Sequence, residues 1–497
     1  MKWETVIGLE VHAELSTKSK IFCGCSTAFG SGPNTHVCPG CAGMPGTLPR
    51  LNRSVLEYAI RLGLALDCTI TRHNKFDRKH YWYPDLPNAF QLTQFYAPIC
   101  RNGHLDIDVD GNKKTIGIKQ IHMEEDAGKL VHDTRGALTF MDFNRCGMPL
   151  LEIVSLPDLR SAAEVIAYLE KLRETLIYLD ICDGKMQEGS IRADINLSVR
   201  HPGQEMGVRT EMKNMNSFKA IVRAIEYEVD RHIETIEDGG QLYQETRRWD
   251  DEKCQSFSMR TKENAQDYRY YPEPDLLPID IDDSVLESVR ANLPELAYQK
   301  RERYVRDFGI SESTAAVLTV HRNISDLFES VSGQSAAAGI TNAAIEAANL
   351  ITGEIMRLLN NTGLLPDDLS VSSRSTAPQT GAVSLDASKL SKLIGLVTSG
   401  KINRGAYKET VEAVFTNNVD PEKYIAEKGL AMISDDKAVI EAVEAVLAVN
   451  RDAIADYKAG KGKIFGFLMG EIMKKLSGRG NPDIARKTLT TMLEKQE

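Results

Sequence analysis

Residues 5–15, TVIGLEVHAEL, alternate cleanly between apolar and polar side chains from Leu9 onward. Leu9, Val11, Ala13 and Leu15 fall on one face of a strand, and Glu10, His12 and Glu14 on the other. An ordinary surface strand alternates in the same way. The polar face here is unusual in offering His and Glu at i and i+2, a spacing that can chelate one cation. The pattern then repeats. In GSIRADINLSV, 189–199, Ile191, Ala193, Ile195 and Leu197 oppose Arg192, Asp194, Asn196 and Ser198. In GVRTEMKN, 207–214, Arg209, Glu211 and Lys213 share one face. Strands of this kind predict a curved sheet with helices over its apolar side and an open trough of carboxylates and cations on the other. Such a trough suits a metal and a nucleotide. No GxxxxGK[ST] loop is present, so a nucleotide would be held by another device.

Between those strands lie two further candidates. HLDIDVD, 104–110, and residues 115–121 read as a hairpin about Asp110-Gly111-Asn112. Its second strand runs into IGIKQIHMEEDAGK, 116–129, where Glu124, Glu125 and Asp126 are consecutive. Like charges held this close repel unless a cation lies between them. A divalent metal would relieve them, and Gly128-Lys129 would suit a phosphate; a solvated acidic turn is the alternative. In MDFNRCGMPLLEIVS, 141–155, Glu152 interrupts the apolar run LLEIV. A buried strand does not carry a lone carboxylate without a partner, so Glu152 is a ligand candidate.

Helices are expected over 52–66, 161–180 (Ser161 and Glu164 forming a capping box) and 217–237, the last ending at Gly239-Gly240. FDRKHYWYPDLPNAFQLTQF, 76–95, reads as an irregular binding loop in which Arg78, Lys79, Tyr81 and Tyr83 could meet a phosphate or base. Residues 268–282, with three prolines, should be extended. From about 294 the chain turns helical, interrupted by a polar linker at 364–382.

Four of nine cysteines, Cys23, Cys25, Cys38 and Cys41, fall within nineteen residues as CGC and CPGC. In a cytosolic chain this reads as a structural zinc knuckle, because four thiolates leave no open position. The first pair has one intervening residue where zinc ribbons commonly have two.

The 497-residue chain has a net charge of −10, with 42% hydrophobic and 26% charged residues. That is an ordinary globular composition of a length that fits about three domains. No apolar run approaches the roughly 18 residues of a membrane span. MKWETVIGLEVH has no signal-peptide core, and a cytoplasmic location is expected. The acidic balance excludes general coating of nucleic acid but not a local basic patch. One lies at 458–487, where eight Lys or Arg face Glu471 and Asp483, a net +6. RNA backbone contact and a solvated basic face both fit it.

VIGLEVHAEL, FDRKHYWYPDLPNAFQLTQF, IHMEEDAGK, DFNRCGMPLLEIVS, KNMNSF and DYRYYPEPDLLP, in this order, resemble the B subunit family of glutamyl-tRNA(Gln)/aspartyl-tRNA(Asn) amidotransferases. The resemblance implies an α+β fold in three domains. A cradle, 1–293, would have a mainly antiparallel sheet like the glutamine synthetase half-barrel and carry the knuckle at 23–41. A helical domain, 294–405, and a YqeY-like tail, 406–497, would follow. It implies ATP-dependent phosphorylation of the Glu or Asp side chain on a misacylated tRNA, then amidation by ammonia from a glutaminase A subunit, with a small C subunit completing the complex. No Ser-Ser-Lys amidase segment or Cys/His glutaminase motif appears, so the isolated chain should not use glutamine.

The family's magnesium ligands map onto His12, Glu125 and Glu152. Glu10, Glu124, Lys79, Arg192 and Lys213 become candidate catalytic groups, and Asp194 and Glu211 candidates for a second metal or for support of the first. Lys458, Lys461, Lys463, Lys474 and Lys475 become candidate tRNA contacts. Histidine is an unusual partner for hard Mg²⁺, and manganese should substitute well. Two alternatives are a free-standing ATP-dependent carboxylate–amine ligase on a small acid and a non-enzymatic zinc RNA-binding protein. The second leaves the strand-borne carboxylates unexplained.

Overall fold

The computed structural model describes residues 2–495 except 134, 135, 137, 262–264, 372–382, 433–435, 459–462, 477 and 478. The chain divides into two compact units, Met1–Leu296 and Ala297–Glu497. No helix among the described residues is long and apolar enough to cross a membrane.

The first unit is built on one open nine-stranded sheet. Its strands are β1 (Glu4–Glu14), β2 (Thr69–Ile70), β3 (Cys100–Val109), β4 (Asn112–Glu125), β5 (Pro149–Ser155), β6 (Ile191–Arg200), β7 (Thr210–Lys213), β8 (Glu245–Asp250) and β9 (Gln255–Thr261). They lie in the order β9-β8-β7-β6-β1-β5-β4-β3-β2. All neighbours are antiparallel except β7 and β8. The strand that carries Glu10, His12 and Glu14, β1, is therefore central, paired to β5 on one side and β6 on the other.

Helices α1 (Arg53–Ala65), α2 (Ala162–Tyr178) and α3 (Phe218–Glu237) pack on the sheet. Each starts where a side chain accepts a backbone N–H: Asn52 from Ser54, Ser161 from Glu164 and Ser217 from Ala220. Val165, Leu169, Leu172 and Leu176 of α2 are buried, as are Leu9, Val11, Ala13, Ile195 and Leu197 of the strands. That burial leaves the polar face of the sheet free for chemistry.

The parallel pair β7 and β8 is joined through α3, which a buried polar network locks to the sheet edge. Glu228, wholly buried, accepts two hydrogen bonds from Arg231 and one at 2.9 Å from the Ser256 hydroxyl, while Thr210 and His232 bond at 2.8 Å. Burial pushes the Glu228 carboxyl up, but His232 and Arg231 outweigh it and hold it at about 2. A carboxylate held low stabilises the fold above its unfolded value of about 4.3, and that contribution is lost as pH falls through about 2. Glu228→Ala is expected to destabilise this unit by about 3 kcal/mol at neutral pH, read as a lower urea midpoint. An unchanged midpoint would refute the network's role.

Some sequence expectations change. Residues 76–95 are irregular only in part: Asp77–His80 pairs with Phe90–Thr93, Tyr271–Pro272 adds a third strand, and 81–89 form the loop between the first two. GVRTEMKN is strand only over Thr210–Lys213, so Arg209 lies before it. The β8–β9 hairpin has no signal in the sequence, because RRWDDEKCQSF shows no clean alternation. The boundary expected at 405/406 falls inside one hydrophobic core. Ala406, Val411, Val414 and Phe415 of the helix Arg404–Asn417 share it with Leu327, Phe328, Leu390 and Leu393. A separate core begins at Val439 and runs to Leu493. The linker expected at 364–382 lies in part outside the described residues.

Candidate active site

On the polar face, strand register sets the geometry. His12 pairs with Arg192 on β6 and with Glu152 on β5, and Glu152 pairs with His122 on β4. One row across four strands therefore reads Arg192, His12, Glu152, His122. Glu124, two residues beyond His122, projects from the same side of β4.

His12 Nε2 lies 3.4 Å from both Glu124 Oε1 and Glu152 Oε2. His122 Nε2 lies 2.9 Å from Glu152 Oε2 and 3.6 Å from Glu124 Oε2. Burial pulls both imidazoles down, yet the surrounding carboxylates raise His12 to about 8 and His122 to about 10. Burial pushes Glu152 up, and the two histidines more than reverse it, holding the carboxyl well below its usual range. The carboxylates and the two imidazoles of this row thus lie close enough to stabilise one another.

His12, Glu124 and Glu152 each offer a ligand atom within 4.8 Å of the others. Glu10, Asp194 and Glu211 form a second such trio. Glu10 accepts from Asn196 Nδ2 at 3.0 Å, and Glu211 from the Thr246 hydroxyl at 2.8 Å. Lys213 Nζ meets Asp194 and lies 3.2 Å from Glu211. Burial lowers the Lys213 ammonium, but Asp194 and Glu211 raise it overall. Both trios draw on β1, through Glu10 and His12. Oxygen-rich trios of this kind fit a hard divalent cation, with one histidine in the first.

Glu125, expected as a metal ligand, does not join the first trio; Glu124 stands there. The reason is the two-residue period of a strand: 122 and 124 share one face and 125 takes the other. Glu125 accepts from Leu92 N at 2.9 Å, and burial raises it to about 7. It lines a cavity of about 230 Å³ together with Lys20, Cys41, Arg78 and Glu273.

Arg78, expected near a phosphate, is instead engaged by Glu273 at 2.7 and 3.0 Å. Lys79 Nζ sits 4.8 Å from the Tyr268 ring centroid and 5.8 Å from that of Tyr81. Burial raises the Tyr81 and Tyr270 phenols, and Glu124 adds to both, so these tyrosines border the trough. Arg192 donates to Asp126 Oδ2 at 2.8 Å. Arg145 gives Asp126 two further bonds at 2.6 and 3.0 Å. Burial raises Asp126, but Arg192 and Arg145 hold it at about 2. Burial and then Asp126 raise Glu14 to about 7, against Arg145 and Arg192.

The sequence gives no specific role to His122, Asp126, Glu14 or Arg145, although Asp126 stands in the acidic run and Glu14 on the polar face of the first strand. The first three carry a signal, since they continue the same-face positions of Glu124, His12 and Glu10. Arg145 lies between strands and carries none.

The four cysteines converge, each offering a sulfur within 4.8 Å of the rest. Cys38 N donates to Cys41 Sγ at 3.2 Å, and the buried Lys20 Nζ lies 3.7 Å from the same sulfur. A hydrogen bond from Cys23 lowers Cys41 to about 4. A thiolate already stabilised among three thiols fits a tetrahedral zinc site.

Lys463, Lys474 and Lys475 are exposed on the helix Lys463–Lys475, whose Leu468 and Ile472 are buried. The Lys458 side chain and Lys461 lie outside the described residues.

Comparison with known proteins adds to this geometry. A family model described as the GatB/GatE catalytic domain matches residues 5–287, and one described as the GatB domain matches 326–493. A protein of Lachnoclostridium phytofermentans is 54% identical over 494 residues, 99% of each chain. One of Caldicellulosiruptor bescii is 51% identical over 496 residues, the whole of both chains. One of Thermoanaerobacter sp. is 47% identical over 497 residues, again the whole of both. All three carry the name of the B subunit of aspartyl/glutamyl-tRNA(Asn/Gln) amidotransferase.

Proposed function

Because the chain belongs to the family of aspartyl/glutamyl-tRNA(Asn/Gln) amidotransferase B subunits, we propose that it activates and amidates the side-chain carboxylate of Glu-tRNA(Gln), Asp-tRNA(Asn) or both, in a complex with a glutaminase A subunit and a C subunit. The observation that carries this reading is the pair of trios, His12–Glu124–Glu152 and Glu10–Asp194–Glu211, side by side on β1.

The chemistry requires such a place. A carboxylate is a poor electrophile. Its oxygen attacks the γ-phosphorus of ATP, the bond to the β-phosphate oxygen breaks, and ADP leaves. Ammonia then attacks the acyl carbon, the carbon–oxygen bond breaks, phosphate departs, and a proton is lost to leave the amide. Both steps crowd negative charge together, and offsetting it is most of the catalysis.

His12, Glu124 and Glu152 would hold one divalent ion and Glu10, Asp194 and Glu211 a second. When bound, Mg²⁺ supplies the positive charge that lets phosphate approach carboxylate. Lys213 adds a fixed ammonium beside the second trio. A cavity of about 500 Å³ adjoins Glu10, with Val154, Leu156, Pro157 and Met206 as apolar wall and Lys119 and Arg209 as cations. Its chemistry suits a nucleobase whose phosphates extend toward the trios. The four cysteines would hold a structural zinc. Neither a free-standing ligase for a small acid nor a non-enzymatic zinc protein is favoured, since the full-length relatives carry the amidotransferase name.

The deciding experiment is ATP- and Mg²⁺-dependent conversion of Glu-tRNA(Gln) to Gln-tRNA(Gln) with ammonia as donor. Amidation of a free small acid without conversion of the tRNA would refute the reading. The exposed lysines of the last helical core would meet the tRNA backbone. Charge reversal at Lys474 and Lys475 together should weaken tRNA binding about tenfold at low salt and flatten its salt dependence. Unchanged affinity in a filter-binding titration would return them to a solvated face.

A further inference from the structure

A third charged group lies in the trough beyond His12, and its composition differs from that of the two trios. Glu14 follows Glu10 and His12 on the polar face of β1; Asp126 follows His122 and Glu124 just past β4. These two carboxylates are matched by the two guanidiniums of Arg145 and Arg192. A group already balanced by fixed cations has no need of a metal. The two acids are not equally served, however. Asp126 takes three arginine hydrogen bonds of 2.6–3.0 Å, whereas Glu14 Oε1 is 3.7 Å from Arg145 Nε, beyond hydrogen-bond distance.

Glu14 also faces space. It lines a cavity of about 440 Å³ with Arg145, Lys129, Asp142, Asp183 and Glu188. Those six side chains bring four carboxylates and two cations, and Lys185, 3.0 Å from Glu188 and 3.9 Å from Asp183, offsets one of the acids; the balance stays on the acidic side, so the cavity favours a positively charged group over an anion. The aminoacyl end of the proposed substrate has one such group, its α-ammonium. Resting on the proposed function, we infer that Glu14 receives the α-ammonium of the aminoacyl ester and so makes the trough selective for a free α-amino group on the tRNA.

The lengths agree. With the side-chain carboxylate beside the first trio, the four bonds from its carbon to the α-nitrogen of a glutamyl group reach about 5 Å, and the three of an aspartyl group about 4 Å. Glu14 stands two residues past His12, about 6.7 Å along the strand. A charge-assisted hydrogen bond of about 2.8 Å closes the remaining gap from either acid. One carboxylate then serves both substrates, because the flexible Glu14 side chain absorbs a difference of one bond.

The test uses the assembled amidotransferase, with ammonia as donor and two substrates of equal size. One is Glu-tRNA(Gln); the other is its deaminated analogue, which carries a hydroxyl where the ammonium stands. The wild-type complex should prefer the ammonium form in kcat/KM by about tenfold or more. Glu14→Gln should reduce that preference to about twofold or less, mainly by slowing the ammonium substrate, while Glu14→Asp should retain most of it. A purely structural role for Glu14 would lower both substrates alike and keep their ratio. An unchanged ratio in Glu14→Gln overturns the inference, as does a wild-type complex indifferent to the α-substituent. A wild-type complex that amidates neither substrate overturns the proposed function, and this inference with it. If Glu14→Gln does not assemble, the wild-type ratio still decides, since a wild-type complex indifferent to the α-substituent overturns the inference.

Discussion

Glu152→Gln should lower ammonia-dependent amidation of Glu-tRNA(Gln) by at least about a thousandfold, some 4 kcal/mol of transition-state stabilisation. Glu152 sits at the middle of the row, between His12 at 3.4 Å and His122 at 2.9 Å. The amide is nearly the same size and leaves the strand intact, so packing should change little. It removes the charge toward which both imidazoles lean and an anionic donor from the first trio. Glutamine hydrolysis, which belongs to the A subunit in this reading, should stay near the wild-type rate. Single-turnover amidation with ammonia and ATP measures the first effect and glutamate release the second. A variant retaining a tenth of wild-type amidation would remove Glu152 from the site. Equal loss of both activities would point to failed assembly.

Asp126→Ala should destabilise the first unit about as strongly as Glu228→Ala. The Asp126 side chain is 7% exposed and accepts three hydrogen bonds from two arginines. Removing it leaves Arg145 and Arg192 facing each other without their shared carboxylate. Breaking a buried pair this way costs about 3–5 kcal/mol. Both guanidiniums are about a third exposed and solvent screens them, so about 3 kcal/mol is the better expectation here. With two compact units, unfolding of the whole chain is not a single transition, and the quantity to follow is the urea midpoint of Met1–Leu296. Asp126→Asn should cost less, because it keeps an acceptor. An unshifted midpoint in Asp126→Ala would show that the arginines find other partners.

Much of the fold was legible because β6 alternates throughout, as do Leu9–Leu15 and Ile121–Glu124, and a half-buried strand has little choice of face. The same period contained the answer for Glu124 and Glu125. Counting back from Glu124 through His122 puts Glu124 on the polar face and Glu125 behind it. Consecutive acids conceal this, since a run of charge looks uniform along the chain while the strand sends its members to opposite sides. The pairing of Arg192 with Asp126 and of Arg78 with Glu273 was not legible, because each joins residues 66 and 195 positions apart through strand order. The helical boundary failed for another reason. Ala, Glu and Leu recur through both later cores, and only the direction of each apolar stripe tells which core a helix joins.

The place of β1 also sets how the chain tolerates lesions. Glu10, His12 and Glu14 hang from one central strand and feed all three charged groups. Point changes at Leu9, Val11 or Ala13 disturb packing by degrees. Deleting or inserting a single residue between Val6 and Glu14 exchanges the two faces over the rest of the strand, drives apolar side chains into the trough and buries the acids against α2 and α3. In a library of random one-residue indels, this nine-residue span should tolerate almost none, while the Asp110-Gly111 turn, remote from every ligand, should accept many.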